Sequence, residues 1–311
     1  MYDLTITGGT CVDGTGGTPF RADLGIKDGV IVEVRRREGD DRGLDGEAAH
    51  NIDATGRVVT PGFVDVHTHY DGQVSWDGLL EPSSLHGVTT VVSGNCGVGF
   101  APVSPGREQW LIELMEGVED IPGSALAEGI TWEWESFPEY LDAVEKQRLS
   151  VDYGTQIAHG PVRGYVMGER GARNEAANAD DIAGMARIVQ EAIEAGALGF
   201  STSRTEAHRA IDGEPVPGTY AAEDELFALG RAMAAGGRAV FEVAPDGTAG
   251  ESVDAPMREL DWMVRLAAEI DREIAHAGLQ RRLGDTHDVV VRHYALGAVI
   301  GQRQQAAAIG H

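Results

Sequence analysis

The sequence predicts an α/β chain, a small antiparallel β-unit followed by an incomplete TIM-like (β/α)₈ barrel. Three observations carry this. Alternating apolar and polar residues with a hairpin signal occupy the first 56 positions. From about residue 57, short apolar runs alternate with helical stretches, the pattern of a parallel sheet. Only five such β/α units can be traced, whereas a full barrel takes eight strands and about 250 residues.

In chain order, residues 2–7 alternate like a strand and end at Thr7-Gly8-Gly9-Thr10. The runs 24–27 and 30–34 flank Asp28-Gly29, a two-residue hairpin turn. Another strand is expected near Asn51-Ile52-Asp53-Ala54, and the charged, Gly-rich stretch between reads as a solvated loop. Barrel strands are expected at 57–67, 88–95, 151–158, 197–202 and 238–243, with helices near 106–116, 136–147, 179–195, 222–235 and 256–270. The third helix places Ile182, Met185, Ile188, Val189, Ala192 and Ile193 on one face, as packing on a sheet requires. An open doubly wound sheet is the alternative. Its nucleotide loop is not found, because Gly94-Asn95-Cys96-Gly97-Val98-Gly99 has neither the dinucleotide nor the phosphate-loop spacing. The expected organisation is a β-portion over 1–56, a partial barrel over 57–270 and an atypical tail over 271–311.

A net charge of −25 excludes nucleic acid as a partner, since phosphate binding needs clustered Lys and Arg. No apolar run approaches 18 residues, so no membrane span is expected, and the first residues lack a signal-peptide pattern. Two cysteines, Cys11 and Cys96, make no disulfide framework. A cytoplasmic location is the simplest expectation. The tail differs from the rest: residues 271–311 hold five Arg against four acids and four of the ten histidines.

The strongest chemical signal is Thr60-Pro61-Gly62-Phe63-Val64-Asp65-Val66-His67-Thr68-His69. In a strand, His67 and His69 would share a face about 7 Å apart, where two imidazoles can grip one metal ion. The polar residues that follow place the pair at the strand's C-terminal end, the end where α/β active sites lie. A surface loop with two incidental histidines is the competing reading. Cys96 follows the next expected strand, and a thiolate between glycines suits zinc, which accepts nitrogen and sulfur donors. Its alternative is a small buried cysteine. His159 ends the third strand on the same rim and could touch substrate, or serve as a hydrogen-bonded structural histidine. Arg204 follows the fourth strand, where it could bind a substrate carboxylate, or be solvated or paired with Glu206. Trp132, Trp134, Phe137 and Tyr140 could cover the barrel mouth or simply pack.

The His67-Thr68-His69 strand resembles the metal-binding strand of the amidohydrolase superfamily. With Tyr70-Asp71-Gly72-Gln73, Leu85-His86-Gly87-Val88-Thr89-Thr90 and Gly94-Asn95-Cys96-Gly97-Val98-Gly99-Phe100-Ala101-Pro102, it resembles the D-aminoacylase or N-acyl-D-amino-acid deacylase branch. Gly196-Ala197-Leu198-Gly199-Phe200-Ser201-Thr202 and Val216-Pro217-Gly218-Thr219-Tyr220 agree with it. The resemblance implies a barrel of the metal-dependent hydrolase type, a β-sandwich, and zinc held by His67, His69 and Cys96. It also implies hydrolysis of a non-peptide C–N bond, with a small N-acyl-D-amino acid the expected substrate. In this branch a cysteine replaces the bridging carboxylated lysine of hydantoinases. Neither lysine of the chain, Lys27 or Lys146, falls in an expected barrel strand, so cyclic-amide hydrolysis is the weaker alternative.

The chain also departs from the pattern. The expected fifth strand, Arg238-Ala239-Val240-Phe241-Glu242-Val243, has no histidine where many superfamily members have a ligand. Glu242 could be an oxygen ligand, or face a helix or solvent. The general-base aspartate, which the family takes from an eighth strand, is expected beyond this chain. The resemblance stops near residue 270, which leads to the expectation of a truncated chain whose tail is read out of frame. A catalytically inactive fragment or scaffold is accordingly the second functional reading.

Overall fold

A computed structural model describes residues 1–39, 43–247, 255–271 and 274–276. The chain divides into two compact units, Met1–Phe63 and Val64–His311. The expected boundary at 56 moves because residues just beyond it still pair within the first unit.

That unit is one sheet of β1 (Tyr2–Cys11), β2 (Phe20–Lys27), β3 (Val30–Arg36), β4 (Ala48–Asp53) and β5 (Val58–Val59). The β2–β3 hairpin turns at Asp28-Gly29, both with positive φ, as the two-residue turn demands. β1–β2 and β2–β3 are antiparallel, but β4 and β5 run parallel to β1. The expected antiparallel unit is therefore a mixed sheet, because the chain returns after β3 to the far edge of β1. Its small core is Cys11, Ala22 and Leu24, with Ile6, Phe20, Ile26 and Val59 packed on it. Val30, Ile31, Val32, Val34 and Ile52 remain exposed.

The second unit alternates strands and helices. β6 (Phe63–Asp65) and β7 (Val88–Ser93) lead to α1 (Glu108–Glu119), α2 (Gly123–Gly129) and α3 (Phe137–Glu145). Next come β8 (Asp152–Thr155), β9 (Ile157–Ala158), α4 (His159–Met167), α5 (Glu169–Ala172) and α6 (Ala179–Ala195). β10 (Gly199–Ser203), α7 (Glu223–Gly236), β11 (Val240–Ala244), α8 (Ala255–Ile270) and β12 (Ile274–His276) complete the described elements. β7 pairs parallel with β8, and β9, β10, β11 and β12 form a parallel run in chain order. Only Gln156 separates β8 from β9, and its amide donates to Ser93 O at 3.0 Å. Strand order thus follows sequence order, as in the wall of a β/α barrel.

Five strands were legible from periodicity; β12, at residues 274–276, is a sixth. It lies past residue 270, where its three residues are too few to show a period. The remainder of the expected tail, 277–311, lies outside the described residues. Helix signals served better. Asn178 caps α6 by accepting from the Asp180 and Asp181 amides, and Met185, Ile188, Val189, Ala192 and Ile193 are buried on one face. Ser136 and Glu139 form a reciprocal capping box on α3. Among the described residues no helix is long and apolar enough to cross a membrane.

Candidate metal centre

The His pair does not sit in a strand. β6 ends at Asp65, and residues 66–70 continue as a bent segment. Thr68 still bonds to the neighbouring strand, its amide donating to Val92 O at 2.9 Å and its hydroxyl to the same oxygen at 2.8 Å. That anchors Thr68 inward and leaves His67 and His69 on the other side, with ring centroids 5.4 Å apart. The shared face expected of a strand survives, at closer range.

Cys96 reaches them from a turn just after β7. Its own φ is +57°, and Gly94 and Gly97 beside it are also left-handed. A Cβ on Gly94 would lie 2.1 Å from Gln156 O, and one on Gly97 would lie 2.8 Å from Ser203 N. Only glycine lets this turn lie flat on its neighbours. Asn95 ties it down: Nδ2 donates to Thr68 O and Val92 O, while Oδ1 accepts from Gln156 Nε2 at 2.8 Å. As a result Cys96 Sγ is 3.2 Å from His67 Nε2. One ligand atom from each of His67, His69 and Cys96 lies within 4.8 Å of the others.

Buried acids surround this triad. Glu119, at the end of α1, places Oε1 3.2 Å from His69 Nε2. Glu242 on β11 accepts the Cys96 amide at 3.0 Å. Asp71 is 2% exposed. Burial raises the carboxyls of Asp71 and Glu242 to about 8, and of Glu119 to about 7. Burial, then the charges of Glu242, Glu119 and Asp71, push the Cys96 thiol well up. Burial, helped by His67 and His208, lowers His69 to about 3, so its ring is neutral and keeps a lone pair.

A pocket that penalises so many anionic donors suits a divalent cation. Three buried polar atoms support that fit, since His69 Nδ1, Asp71 Oδ2 and Glu242 Oε1 have no hydrogen-bond partner. The donor chemistry of two imidazoles, a thiol and carboxylates is what zinc accepts. Spacing exposed the triad, but Glu119 and Asp71 carried no such signal, because their proximity arises only from the fold.

The two expected substrate contacts are engaged elsewhere. His159 is fully buried, with Nδ1 2.9 Å from Thr202 Oγ1 and Nε2 2.9 Å from Glu225 Oε1. Both ring nitrogens serve the protein interior, which corrects the substrate-contact expectation in favour of the structural one. Arg204 donates to Thr219 O and Ala221 O and pairs with Glu259 at 3.3 Å, not with Glu206. Its guanidinium holds the 218–221 segment. Trp134, Phe137 and Tyr140 are buried and Trp132 packs on them, with Trp134 Nε1 donating to Phe100 O at 2.8 Å. The aromatic cluster is packing. Lys27 ends β2 and Lys146 caps α3, so neither reaches the centre.

Comparison with known proteins bears on this geometry. The profile of an amidohydrolase family matches residues 51–309. The chain belongs to the amidohydrolase family. Among curated relatives, D-aminoacylase of Alcaligenes xylosoxydans xylosoxydans is 35% identical over 202 residues, covering 65% of this chain and 37% of that protein. The solved structure of a D-aminoacylase with a binuclear metal centre covers 99% of this chain and 57% of its own, at 26% identity and a TM-score of 0.69. N-acyl-D-glutamate deacylase of Bordetella bronchiseptica, solved with zinc and a phosphonate inhibitor, gives 27% identity and a TM-score of 0.64 over 99% of this chain and 56% of its own. The resemblance to the D-aminoacylase branch of amidohydrolases is thereby borne out, as is a TIM-barrel-like α/β fold. The chain spans about two fifths of the length of the curated relatives it matches.

Proposed function

We propose that this chain provides the metal-binding part of a hydrolase that converts an N-acyl-D-amino acid to a D-amino acid and a carboxylate. The observation that carries the reading is the convergence of His67, His69 and Cys96. A zinc ion held there would polarise an acyl carbonyl and make water acidic enough to attack near neutral pH. His69 holds a neutral nitrogen donor, His67 adds a second imidazole, and the Gly94–Gly97 turn presents the thiol. The burial of Asp71, Glu242 and Cys96 would keep bulk water from competing with them for a bound cation. The acid–base role belongs to the aspartate that the family resemblance places on an eighth strand, and no described residue takes it.

The same proposal extends to the whole fold. The parallel β7–β8 pair and the parallel run β9 to β12 support an incomplete (β/α)₈ barrel, and the exposed apolar face of β3 supports a β-sandwich portion. A cytoplasmic setting fits two cysteines that are both free thiols. A catalytically silent scaffold is the second reading, favoured by the absence of histidine from β11.

Metal analysis of the purified chain, followed by assay on N-acetyl-D-amino acids with added zinc, tests these readings. Stoichiometric zinc that is lost in Cys96→Ala is expected. Zinc without turnover supports the scaffold, and no zinc at all overturns the metal reading.

A further inference from the structure

We propose that Glu242 is a fourth protein donor of the centre, an oxygen ligand for the divalent cation beside Cys96. The inference rests on the metal reading of His67, His69 and Cys96 and goes beyond it. On β11, Phe241 and Val243 point into the hydrophobic core, so alternation sends Glu242 to the opposite side of the strand. That side is neither solvent nor a helix face: Glu242 is 4% exposed and reaches the turn that carries the thiol. Oε2 is occupied by the Cys96 amide at 3.0 Å. Oε1 is buried with no hydrogen-bond partner.

A bare buried carboxylate oxygen is costly, and only a proton or a cation removes the cost. A proton explains Oε1 alone. A cation also explains why the carboxyl is fastened to the backbone of a thiol that stands 3.2 Å from a histidine nitrogen. Glutamine would accept the Cys96 amide equally well, so that hydrogen bond by itself does not call for an acid. Two imidazoles, a thiolate and a carboxylate form a donor set that zinc accepts without change of type.

The test compares the full chain with Glu242→Gln, which keeps the size and the acceptor for Cys96 N–H. Zinc affinity by chelator competition and the visible spectrum of the cobalt-substituted protein are the readouts, with far-UV circular dichroism reporting the fold. E242Q is expected to fold, to bind zinc at least about tenfold more weakly and to shift the cobalt bands. Unchanged affinity and bands overturn the proposal and leave Glu242 a buried neutral acid, while the His67, His69 and Cys96 reading stands. Absence of zinc from the unaltered chain overturns both. Should E242Q fail to fold, Glu242→His, which returns a donor atom, is expected to hold zinc where Glu242→Leu does not. Equal binding by those two overturns the proposal.

Discussion

His69 Nε2 lies 3.2 Å from Glu119 Oε1, joining the histidine motif to the last turn of α1. Burial holds the His69 ring neutral at physiological pH, so this close contact is not an ion pair. Its carboxyl partner is poorly placed in every other respect. It stands at the negative end of a helix, largely buried, next to Asp120. Fixing the ring of a histidine in the proposed metal centre would account for the placement.

Glu119→Ala is therefore expected to weaken zinc binding by about 10–100-fold, the usual effect of losing a carboxylate behind a ligating histidine. The metal-free protein should keep its thermal midpoint or gain slightly, since an unfavourable charge is gone. Chelator competition and thermal unfolding of the apoprotein measure the two effects. A lower midpoint with unaltered affinity would make Glu119 a purely structural residue.

Asn95→Ala tests the strut beneath the thiol. The side chain bridges Thr68 O, Val92 O and Gln156 Nε2, all buried, so its removal strands the Thr68 carbonyl and the Gln156 amide, while Val92 O keeps its bonds from Thr68. A loss of about 2–3 kcal/mol is expected from unsatisfied groups in a dry site. Urea unfolding gives the stability. Zinc affinity should fall as well, because Asn95 links the segment carrying His67 and His69 to the turn carrying Cys96.

The sequence displayed what is local and periodic. The His67-Thr68-His69 spacing, the glycines around Cys96, the α6 face and the Asp28-Gly29 hairpin could all be read from neighbouring residues. What escaped depends on contacts distant in sequence. β12 is too short for periodicity, and β4 joins β1 across 46 positions, so the parallel pairing was invisible locally. His159 illustrates the limit most clearly. Its position at a strand end suggested substrate, but Glu225, 66 residues away, claims its ring.

That buried pair gives the chain an acid sensitivity of known sign. Burial holds His159 below its ordinary 6.5, although Glu225 pulls the other way and Arg163 and Arg204 add to the lowering. Burial works against ionisation of Glu225, but the His159 hydrogen bond and the charges of His159, Arg163 and Arg204 prevail and keep it below 4.5. In both cases the unfolded chain binds protons more readily, so stability falls as pH drops through 6.5 and again through 4.5. The contribution of this pair to the apoprotein's thermal midpoint should decline from pH 7 to pH 5, against the opposite contribution of the raised carboxyls of Asp71, Glu119 and Glu242. His159→Gln should flatten that decline relative to the parent, even if it lowers the midpoint throughout. An unchanged slope would mean that His159 is already protonated in the folded state.

Gly94→Ala separates the backbone's contribution from that of the ligands. Residue 94 has a φ of +75°, which costs any L-side chain about 1 kcal/mol or more, and its added methyl would meet Gln156 O at 2.1 Å. No side-chain rotation relieves that collision, because the backbone fixes where a Cβ lies and Gln156 O is itself backbone. Either the β7 turn lifts away from Gln156, breaking the Gln156 N–H bond to Ser93 O, or the chain fails to fold. A loss of at least about 2 kcal/mol is expected. In any folded fraction Cys96 should be displaced, with zinc affinity reduced although every ligand is present. Native stability and native zinc binding together would show that the turn can move without cost, and that the placement of Cys96 does not depend on glycine.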